Sequence, residues 1–403
     1  MEYIYTSELP RLNFNCDTYI DTETEGLYGK IRLLQIYQPQ NKDLVYIVDV
    51  KGYPVEVIKE YVKQFSGKLW GYNLLYDLEC LGFIFDDCPQ YNDLYLSSKL
   101  TFYEREASQS KPSWDLYSVL EYVGVKVPID KKAMQKSDFS SFHLTEQQIL
   151  YSAYDVYYLP ILRKEIEKRI PNIWTHNRVY RLDLFVSKTL LDIHKSGLQV
   201  NEEIKFKVME DLTKRGMELE ALFKGKFNPL SPKQITKYYN IPSSDEKTLK
   251  KLIGKLPYIK EILEYRSIVK DLSFLTKYSG RVYGKFNVVG TKSGRMSCSN
   301  ENIQQIPRHL RNVFGFTEDD DRVYVIADFP QIELRLAGII WNETNMIKAF
   351  KEGIDLHKYT ASVIFNKSID EVSKEERQIS KSANFGLLYG MGAERFREYV
   401  FTT

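Results

Sequence analysis

The chain has 403 residues, a length typical of two or three domains rather than one. Hydrophobic residues make up 43% of it and charged residues 27%, and no apolar run approaches the roughly 20 residues that span a bilayer, so the composition predicts a soluble protein and excludes a membrane protein. The N-terminus carries no secretory signal, and we therefore expect a cytoplasmic location. The four cysteines lack Cys-x-x-Cys spacing and there is no Gly-x-x-x-x-Gly-Lys loop, which argues against a zinc site, a disulfide framework and a P-loop ATPase.

The net charge of +2 is unevenly distributed along the chain. Acidic residues exceed basic ones within residues 1–170, and basic residues exceed acidic ones most strongly within residues 221–310. This polarity indicates a polyanionic partner for the basic segment and a metal-binding role for the acidic one, with an ordinary solvated surface as an equal alternative.

The first third of the chain alternates predicted strands and helices. The β-rich runs are TYIDTE, IRLLQIYQP and LVYIVDV, and helical spacing is present in GYPVEVIKEYVKQF and DLYSVLEYVGV. This pattern predicts an α/β domain built on a mixed sheet. From about residue 171 to residue 279 long charged helices take over, broken by the turn sequences NPLSP and IPSSD. Strands are predicted again after Arg281, among them RVYVIAD (322–328) as a buried strand, and two helical stretches follow.

Carboxylates in the first domain have the spacing of a metal centre. Asp21 and Glu23 lie two residues apart near a strand end and so face the same side. Asp77 lies near the start of a helix, and Tyr151 and Asp155 are four residues apart on one helical face. Four such carboxylates supply the oxygen ligands that two Mg²⁺ or Mn²⁺ ions prefer, and two metals clamp an in-line phosphoryl displacement. Tyr151 would then orient the attacking water.

Each of these patterns alone has an ordinary structural explanation, a solvated turn for Asp-x-Glu above all, but the combination is far more specific. It resembles the 3′–5′ proofreading exonucleases, with Asp21 and Glu23 in their first motif. Asp77, preceded by Asn73, matches the second motif, and the pair Tyr151 and Asp155 matches the third. The resemblance covers about residues 1–170 and implies a ribonuclease H-like fold.

Three further blocks occupy the last third: TKSGRMSCSNENIQQIP, DFPQIELRLAG with DLHKYTA, and RQISKSANFGLLYG. In the third block Arg377, Lys381, Phe385 and Tyr389 recur every four residues and share one side of a helix. Two cations followed by two aromatic rings suit a nucleoside triphosphate, because Arg and Lys bind phosphate while rings stack on the base. An amphipathic helix with aromatic core residues is the favoured alternative for this helix taken alone.

Read together, the blocks resemble the family A DNA polymerases over nearly the whole chain. The resemblance implies a thumb that grips duplex DNA and includes Lys233, and a primer-template contact at Arg295. It also implies that Asp328 is the first palm metal ligand, that Gln331 contacts the template and that Glu333 excludes ribonucleotides. Asp328 at the end of a buried strand would need a cation in any case. The sequence departs from the family pattern in two small ways: Phe-Pro follows this aspartate, and a cysteine is present in the SGRMSCS block.

The same resemblance assigns the nucleotide-binding side chains. It implies that His357, Arg377 and Lys381 bind the triphosphate, that Phe385 stacks on the incoming nucleotide and that Tyr389 lies beside the templating base.

Two more cations, Arg308 and Arg311, lie in the basic region and could clamp a nucleic-acid backbone, although ordinary surface positions explain them equally well.

The predicted architecture is a ribonuclease H-like exonuclease domain followed by a helical thumb and a partial palm and fingers of a right-hand polymerase. We place the exonuclease at 1–170, the thumb and start of the palm at 171–290, and the partial palm and fingers at 291–403. The order of domains, with no 5′-nuclease before the exonuclease, resembles phage-type members, which would act in the host cytoplasm.

The palm hairpin with its His-Asp-Glu turn, which holds the family's second palm aspartate, is not found, and the acidic run 318–321 is interpreted as a solvated turn. We therefore expect a polymerase that needs a separate C-terminal partner chain, with two ions in the polymerase site only once completed. The alternative is a stand-alone 3′–5′ exonuclease whose remaining part holds DNA. Expected ligands are primer-template and single-stranded DNA, deoxynucleoside triphosphates, and Mg²⁺ or Mn²⁺, with two ions in the exonuclease site.

Overall fold

A computed structural model describes residues 1–41, 43–105, 112–129, 137–170, 172–318 and 320–402 of the chain. They form two compact units. The first unit contains residues 1–205 and 278–315, and the second contains residues 206–277 and 316–403.

A six-stranded mixed sheet forms the centre of the first unit. Its strands are β1 (Glu2–Thr6), β2 (Thr18–Thr24), β3 (Ile31–Tyr37), β4 (Leu44–Asp49), β5 (Leu69–Gly71) and β6 (Tyr91–Asp93). They lie in the order β1-β4-β3-β2-β5-β6. Strand β3 runs antiparallel to both β2 and β4, whereas β1 pairs parallel with β4, and β5 and β6 extend the sheet in parallel beyond β2. The mixed sheet predicted from the sequence is confirmed.

Helices cover both faces of this sheet, which explains why all seven residues of β3 are buried. The helices are α1 (Val55–Lys63), α2 (Leu75–Cys80), α3 (Leu94–Thr101), α4 (Leu116–Tyr122), α5 (Glu146–Tyr157), α6 (Leu159–Arg169) and α7 (Ile173–Ser196). Successive strand side chains point to opposite faces, so Leu34 and Ile36 pack with α1, α2 and α7, while Leu33 and Tyr37 pack with α4, α5 and α6.

Short strands complete the first unit after the long helix α7. They are β7 (Leu198–Gln199), β8 (Arg281–Val282), β9 (Lys285–Asn287) and β10 (Ser297–Ser299). β9 and β10 form an antiparallel hairpin, and Val288 and Val289 after β9 join the core beneath α2 and α7. The hairpin is therefore packed onto the same core as the sheet.

The described part of the second unit is helical, and its first segment, residues 206–277, lies within the stretch 171–279 for which the sequence predicted helices. One hydrophobic cluster, with Leu219, Phe223, Ile235 and Ile262 at its centre, joins α8 (Glu202–Phe223), α9 (Pro232–Tyr239), α10 (Glu246–Lys250) and α11 (Ile259–Leu275). A second, smaller cluster forms around Leu334, Ala349 and Leu356. It involves α12 (Ile332–Ile340), α13 (Thr344–Lys351), α14 (Leu356–Phe365) and α15 (Lys374–Leu388), and α16 (Ala393–Thr402) follows.

The prediction that RVYVIAD (322–328) forms a buried strand is wrong. The segment has no regular secondary structure, and Val325 and Ile326 are 89% and 92% exposed. A strand forms only when a neighbouring strand accepts its backbone hydrogen bonds, and none of the described residues pairs with this segment.

Among the described residues, no helix combines the length and the apolar character that crossing a bilayer requires.

Candidate active site

Strand β2 carries the first two predicted ligands. Asp21 and Glu23 alternate with Thr22 along the strand, opposite Gln35 and Leu33 of β3, and the pairing becomes irregular between Glu23 and Thr24. One carboxylate oxygen from each of Asp21, Glu23 and Asp155 lies within 4.8 Å of the other two. Three carboxylates this close form a cluster that can hold a divalent cation.

Helix α5 places the third motif against this strand. A capping box between Thr145 and Gln148 fixes the start of α5, and Tyr151 and Asp155 lie one helical turn apart on its buried side. From the same helix, the Ser152 hydroxyl donates a hydrogen bond to Glu23 over 3.4 Å. The structure therefore brings the first and third motifs together as the sequence predicted.

Asp77 of α2 reaches the same strand by a different contact. One of its carboxylate oxygens accepts hydrogen bonds from the Thr22 amide at 2.9 Å and the Thr22 hydroxyl at 2.6 Å. Its side chain is buried, and it adds to the negative charge that Asp21 experiences. All four predicted carboxylates thus belong to one locality around β2.

Burial and mutual repulsion dominate the electrostatics of these carboxylates. Burial, with the charges of Asp77 and Asp155, holds the pKa of Asp21 well above its usual range, and burial with Asp155 does the same for Glu23. Burial raises the pKa of Asp77 to about 7, although the two hydrogen bonds from Thr22 oppose the shift. Buried like charges of this kind are stabilised by a cation between them, so this set of oxygen donors fits divalent metal ions.

Two neighbours of the site were missed by the sequence reasoning. The Tyr117 ring of α4 stacks on Tyr151, with centroids 5.6 Å apart and an interplanar angle of 17°, and the charge of Asp155 adds to burial in raising the pKa of Tyr117. Asp93 at the end of β6 accepts hydrogen bonds from the amides of Asn73 and Leu74, just before α2, at 2.9 Å and 3.0 Å. Both contacts join segments far apart in the chain, and the only local signal is an aspartate before a helix at Asp93.

Helix α15 corresponds to the helix that was predicted to bind the nucleotide. Arg377, the first of its two predicted phosphate-binding cations, forms an ion pair. Arg377 pairs with Asp355 at 2.8 Å, and the other oxygen of Asp355 caps the start of α14. His357 is buried, with Nδ1 3.1 Å from the side-chain amide of Asn384 and its ring 5.7 Å from that of Phe385. Burial lowers the pKa of His357.

The other side chains that were predicted to act in the polymerase are more exposed to solvent. Lys381 and Tyr389 are exposed, and Tyr389 lies directly after the end of α15. Asp328 is exposed in the segment without regular structure. Gln331 has a left-handed backbone with φ of 55° at the start of α12, which carries Glu333 in its first turn. Among the described residues, the acidic cluster suited to a metal ion contains Asp21 and its neighbours but not Asp328.

The four predicted DNA-binding cations are all exposed. Lys233 lies on α9, Arg295 in the turn between β9 and β10, and Arg308 and Arg311 in the short 3-10 helix Arg308–Val313. The Arg295 turn closes through a 3.2 Å hydrogen bond from the Thr291 amide to the Arg295 carbonyl.

Comparison with known proteins assigns both parts of the chain. Residues 198–403 match the profile of DNA polymerase family A, and residues 8–171 match that of a 3′-5′ exonuclease domain. The chain belongs to DNA polymerase family A. DNA polymerase I of Aquifex aeolicus is 32% identical over 431 residues, an alignment that covers 97% of this chain and 71% of that protein. DNA polymerase I of Treponema pallidum is 38% identical over 169 residues, which cover 39% of this chain and 17% of that protein.

Solved structures give the same fold for this family A member. The POL domain of Pol1 from M. smegmatis, in complex with DNA primer-template and dNTP, superposes with a TM-score of 0.72 at 19% identity, covering 96% of this chain and 70% of that one. The predicted fold class, an exonuclease domain followed by a polymerase domain, is confirmed.

By its family the chain is a DNA polymerase and 3′-5′ exonuclease enzyme, and both domain types depend on divalent cations. The phage-type assignment, the domain boundaries, the cytoplasmic location and the separate partner chain stay predictions.

Proposed function

We propose that this chain shortens DNA from its 3′ end at the site formed by Asp21, Glu23, Asp77 and Asp155, and that this activity proofreads templated DNA synthesis. The observation that carries the exonuclease part is the cluster of Asp21, Glu23 and Asp155 oxygens within 4.8 Å of one another. The substrate is a single-stranded 3′ end with its phosphodiester beside these carboxylates.

Each site residue has a distinct role in this reaction. The four carboxylates would hold two Mg²⁺ or Mn²⁺ ions, which when bound activate water and stabilise the leaving 3′ oxygen. Tyr151 orients the attacking water, and its ring is fixed by the stack on Tyr117. Thr22 holds the Asp77 carboxylate in one orientation through its two hydrogen bonds.

The polymerase part binds primer-template and deoxynucleoside triphosphates. We assign triphosphate binding to His357, Arg377 and Lys381, and contacts with the base pair to Phe385 and Tyr389. The support is that Arg377, Lys381 and Phe385 lie along one side of α15. Side chains with family roles in the palm are Asp328, Gln331 and Glu333, and those that contact the DNA backbone are Lys233, Arg295, Arg308 and Arg311.

The exonuclease assignment is tested with a 5′-labelled single-stranded oligonucleotide and purified chain in Mn²⁺ or Mg²⁺. Stepwise shortening from the 3′ end is expected, and Asp21→Ala removes a metal ligand and lowers the rate by several orders of magnitude. Asp211→Ala on α8, in the second unit, is the matched control and should leave the rate unchanged. Equal degradation by wild type and Asp21→Ala would overturn the assignment.

A second candidate is exonuclease activity without polymerisation by this chain alone. The observation that favours it is the exposure of Asp328, which lies outside the described acidic cluster, because in-line transfer to a primer 3′ hydroxyl requires two correctly spaced ions. Primer extension in the Asp21→Ala background, which cannot degrade the primer, separates the candidates. Extension by the chain alone supports the full polymerase, and absence of extension, while the wild type shortens DNA, supports the second candidate.

A further inference from the structure

Helix α2 carries a predicted metal ligand but cannot hold its own position. It has only six residues, Leu75–Cys80, and helices this short are not stable by themselves in water. Asp77 on this helix must nevertheless hold its carboxylate against β2. The contacts that fix α2 from outside therefore decide where this ligand lies.

Two sets of contacts fix the helix from its two ends. Before its first turn, Asp93 accepts the amides of Asn73 and Leu74. Near its last turn, Glu79 lies two residues after Asp77, and both of its carboxylate oxygens are occupied. The second set reaches beyond the part of the chain that matches the exonuclease profile.

Glu79 contacts one residue from α7 and one from β9. His194 of α7 places Nδ1 3.3 Å from one carboxylate oxygen, and Lys285 of β9 donates to the other. His194 Nε2 accepts the Phe286 amide at 2.7 Å, so in the neutral ring the proton is on Nδ1 and is donated to Glu79. His194 thus links α2 to β9 directly, and its side chain is 2% exposed.

Lys285 also touches the segment that follows the other two ligands. Its ammonium lies 4.1 Å from the centre of the Tyr28 ring, in the loop after β2. Tyr28 in turn packs on Tyr76 of α2, with ring centroids 4.9 Å apart. A single cation from β9 therefore contacts α2 and the loop that leaves the strand bearing Asp21 and Glu23.

We propose that Lys285 and His194 are positioning residues for the exonuclease metal centre, acting through Glu79 and α2 on Asp77. Lys285 lies within the part of the chain that matches the polymerase family, whereas Asp77 lies within the exonuclease match. The metal centre of the exonuclease is thus completed by the first hairpin of the polymerase part. The same hairpin, β9–β10, carries Arg295 in its turn.

This inference rests on the proposed exonuclease function and predicts a specific defect. Lys285→Met removes the cation while keeping an unbranched side chain, and it leaves a half-buried Glu79 carboxylate with one partner fewer. Glu79 and α2 then shift, which moves the Asp77 carboxylate out of the position in which it would help its neighbours to hold a metal ion. Binding of Mn²⁺ in the absence of DNA should weaken at least threefold, and the Mn²⁺ concentration for half-maximal exonuclease activity should rise by a similar factor.

The experiment measures Mn²⁺ binding to the full chain by isothermal titration calorimetry, with exonuclease assays and thermal unfolding in parallel. Lys195→Met is the matched control, because Lys195 lies beside His194 but its side chain is exposed. Lys285→Arg should restore the affinity, since it keeps the charge that meets Glu79. Glu79→Gln should reproduce the defect, and Lys285→Met combined with Glu79→Gln should be no worse than either change alone. Glu79→Gln also serves as the test if Lys285→Met does not fold.

The outcomes separate this inference from the function on which it rests. If wild type is active and binds Mn²⁺ with the same affinity as Lys285→Met and Glu79→Gln, the positioning role is overturned and the exonuclease function stands. If wild type neither binds Mn²⁺ nor shortens DNA, the proposed function itself is overturned. A lower unfolding temperature with unchanged Mn²⁺ affinity would reduce the contact to a structural one and also overturn the inference.

Discussion

Thr22 donates two hydrogen bonds to one carboxylate oxygen of Asp77, from its amide at 2.9 Å and from its hydroxyl at 2.6 Å. These bonds favour the ionised carboxylate and oppose the effect of burial, which raises the pKa of Asp77 to about 7. Thr22 therefore helps to keep Asp77 ionised near neutral pH, as its proposed role in metal binding requires.

Thr22→Val removes the hydroxyl donor while keeping the shape of the side chain. Loss of one hydrogen bond to a charged group, worth about 1.5 kcal/mol, should raise the pKa of Asp77 further, by about one unit. Mn²⁺ affinity at pH 7 should fall, and the acid limb of the exonuclease pH profile should move to higher pH. Thr213→Val, on α8 in the second unit, is the control, because its hydroxyl donates to the Met209 carbonyl of its own helix. An unchanged profile would show that the amide of Thr22 suffices.

Metal-free protein should lose stability as the pH rises from 5 to 8. In the folded state burial holds the pKa of Asp77 at about 7 and those of Asp21 and Glu23 well above their usual range, whereas in the unfolded chain such groups titrate near about 4. The folded state thus binds more protons in this interval, and ionising it costs free energy. Unfolding temperatures measured in EDTA should fall with pH, and Mn²⁺ should flatten the slope. The Asp21→Ala variant should show a smaller slope, and a slope of opposite sign would contradict the argument.

Tyr117→Phe should impair the exonuclease without unfolding it. The ring that stacks on Tyr151 is retained, but the hydroxyl beside Asp155 is lost. We expect a several-fold lower rate on single-stranded DNA, because an oriented hydrogen bond to a charged group contributes about 1.5 kcal/mol or more. Tyr122→Phe on the same helix, where the ring is partly exposed, should behave as wild type. Equal rates for both variants would limit Tyr117 to packing.

Local patterns in the sequence were enough to find the strands and helices that carry the exonuclease carboxylates. The alternation in β2 predicted that Asp21 and Glu23 share a face, and the four-residue spacing predicted the same for Tyr151 and Asp155. Contacts between distant segments were not predictable in this way. Glu79 and Lys285 are 206 positions apart, and no periodicity links them.

The segment 322–328 is a second case in which local sequence was not enough to predict the structure. Its continuous run of apolar residues predicted a buried strand, but burial requires a packing partner that local sequence cannot supply. Likewise, the four-residue spacing on α15 predicted that Arg377 shares a side with Lys381, but not that Arg377 pairs with Asp355, which caps α14. The triphosphate role of this side stays a prediction. The spacing of residues determines which side chains share one face of a helix, but it does not determine which other residues that face contacts.

Asp355 should contribute to stability through two separable contacts. It caps α14 and pairs with Arg377 while both side chains are partly exposed. Loss of the cap costs about 1 kcal/mol, and a partly exposed ion pair adds about 0.5 kcal/mol. Asp355→Ala should therefore lower the free energy of unfolding more than Asp355→Asn, which retains a capping oxygen. Urea unfolding measures both, and Arg377→Met, which removes only the ion pair, should match the loss caused by Asp355→Asn. Equal losses for the two Asp355 variants would show that the cap contributes nothing.

Binding of primer-template should depend steeply on salt and weakly on sequence. The basic excess of residues 221–310 provides exposed cations such as Arg295 and Arg308, and each phosphate contact on duplex DNA contributes about −0.9 to the slope of log affinity against log salt concentration. Arg295→Ala and Arg308→Ala should each make the slope shallower by about one and weaken binding to unrelated sequences equally.

Fluorescence anisotropy in EDTA, with the Asp21→Ala variant to prevent degradation, measures the slope between 50 and 200 mM salt, an interval over which several phosphate contacts change affinity by orders of magnitude. Lys126→Ala, an exposed position in the acidic first part of the chain, is the control that should leave the slope unchanged. A slope insensitive to both arginines would place the DNA elsewhere on the protein, because a cation that contacts phosphate must release a counterion when the complex forms.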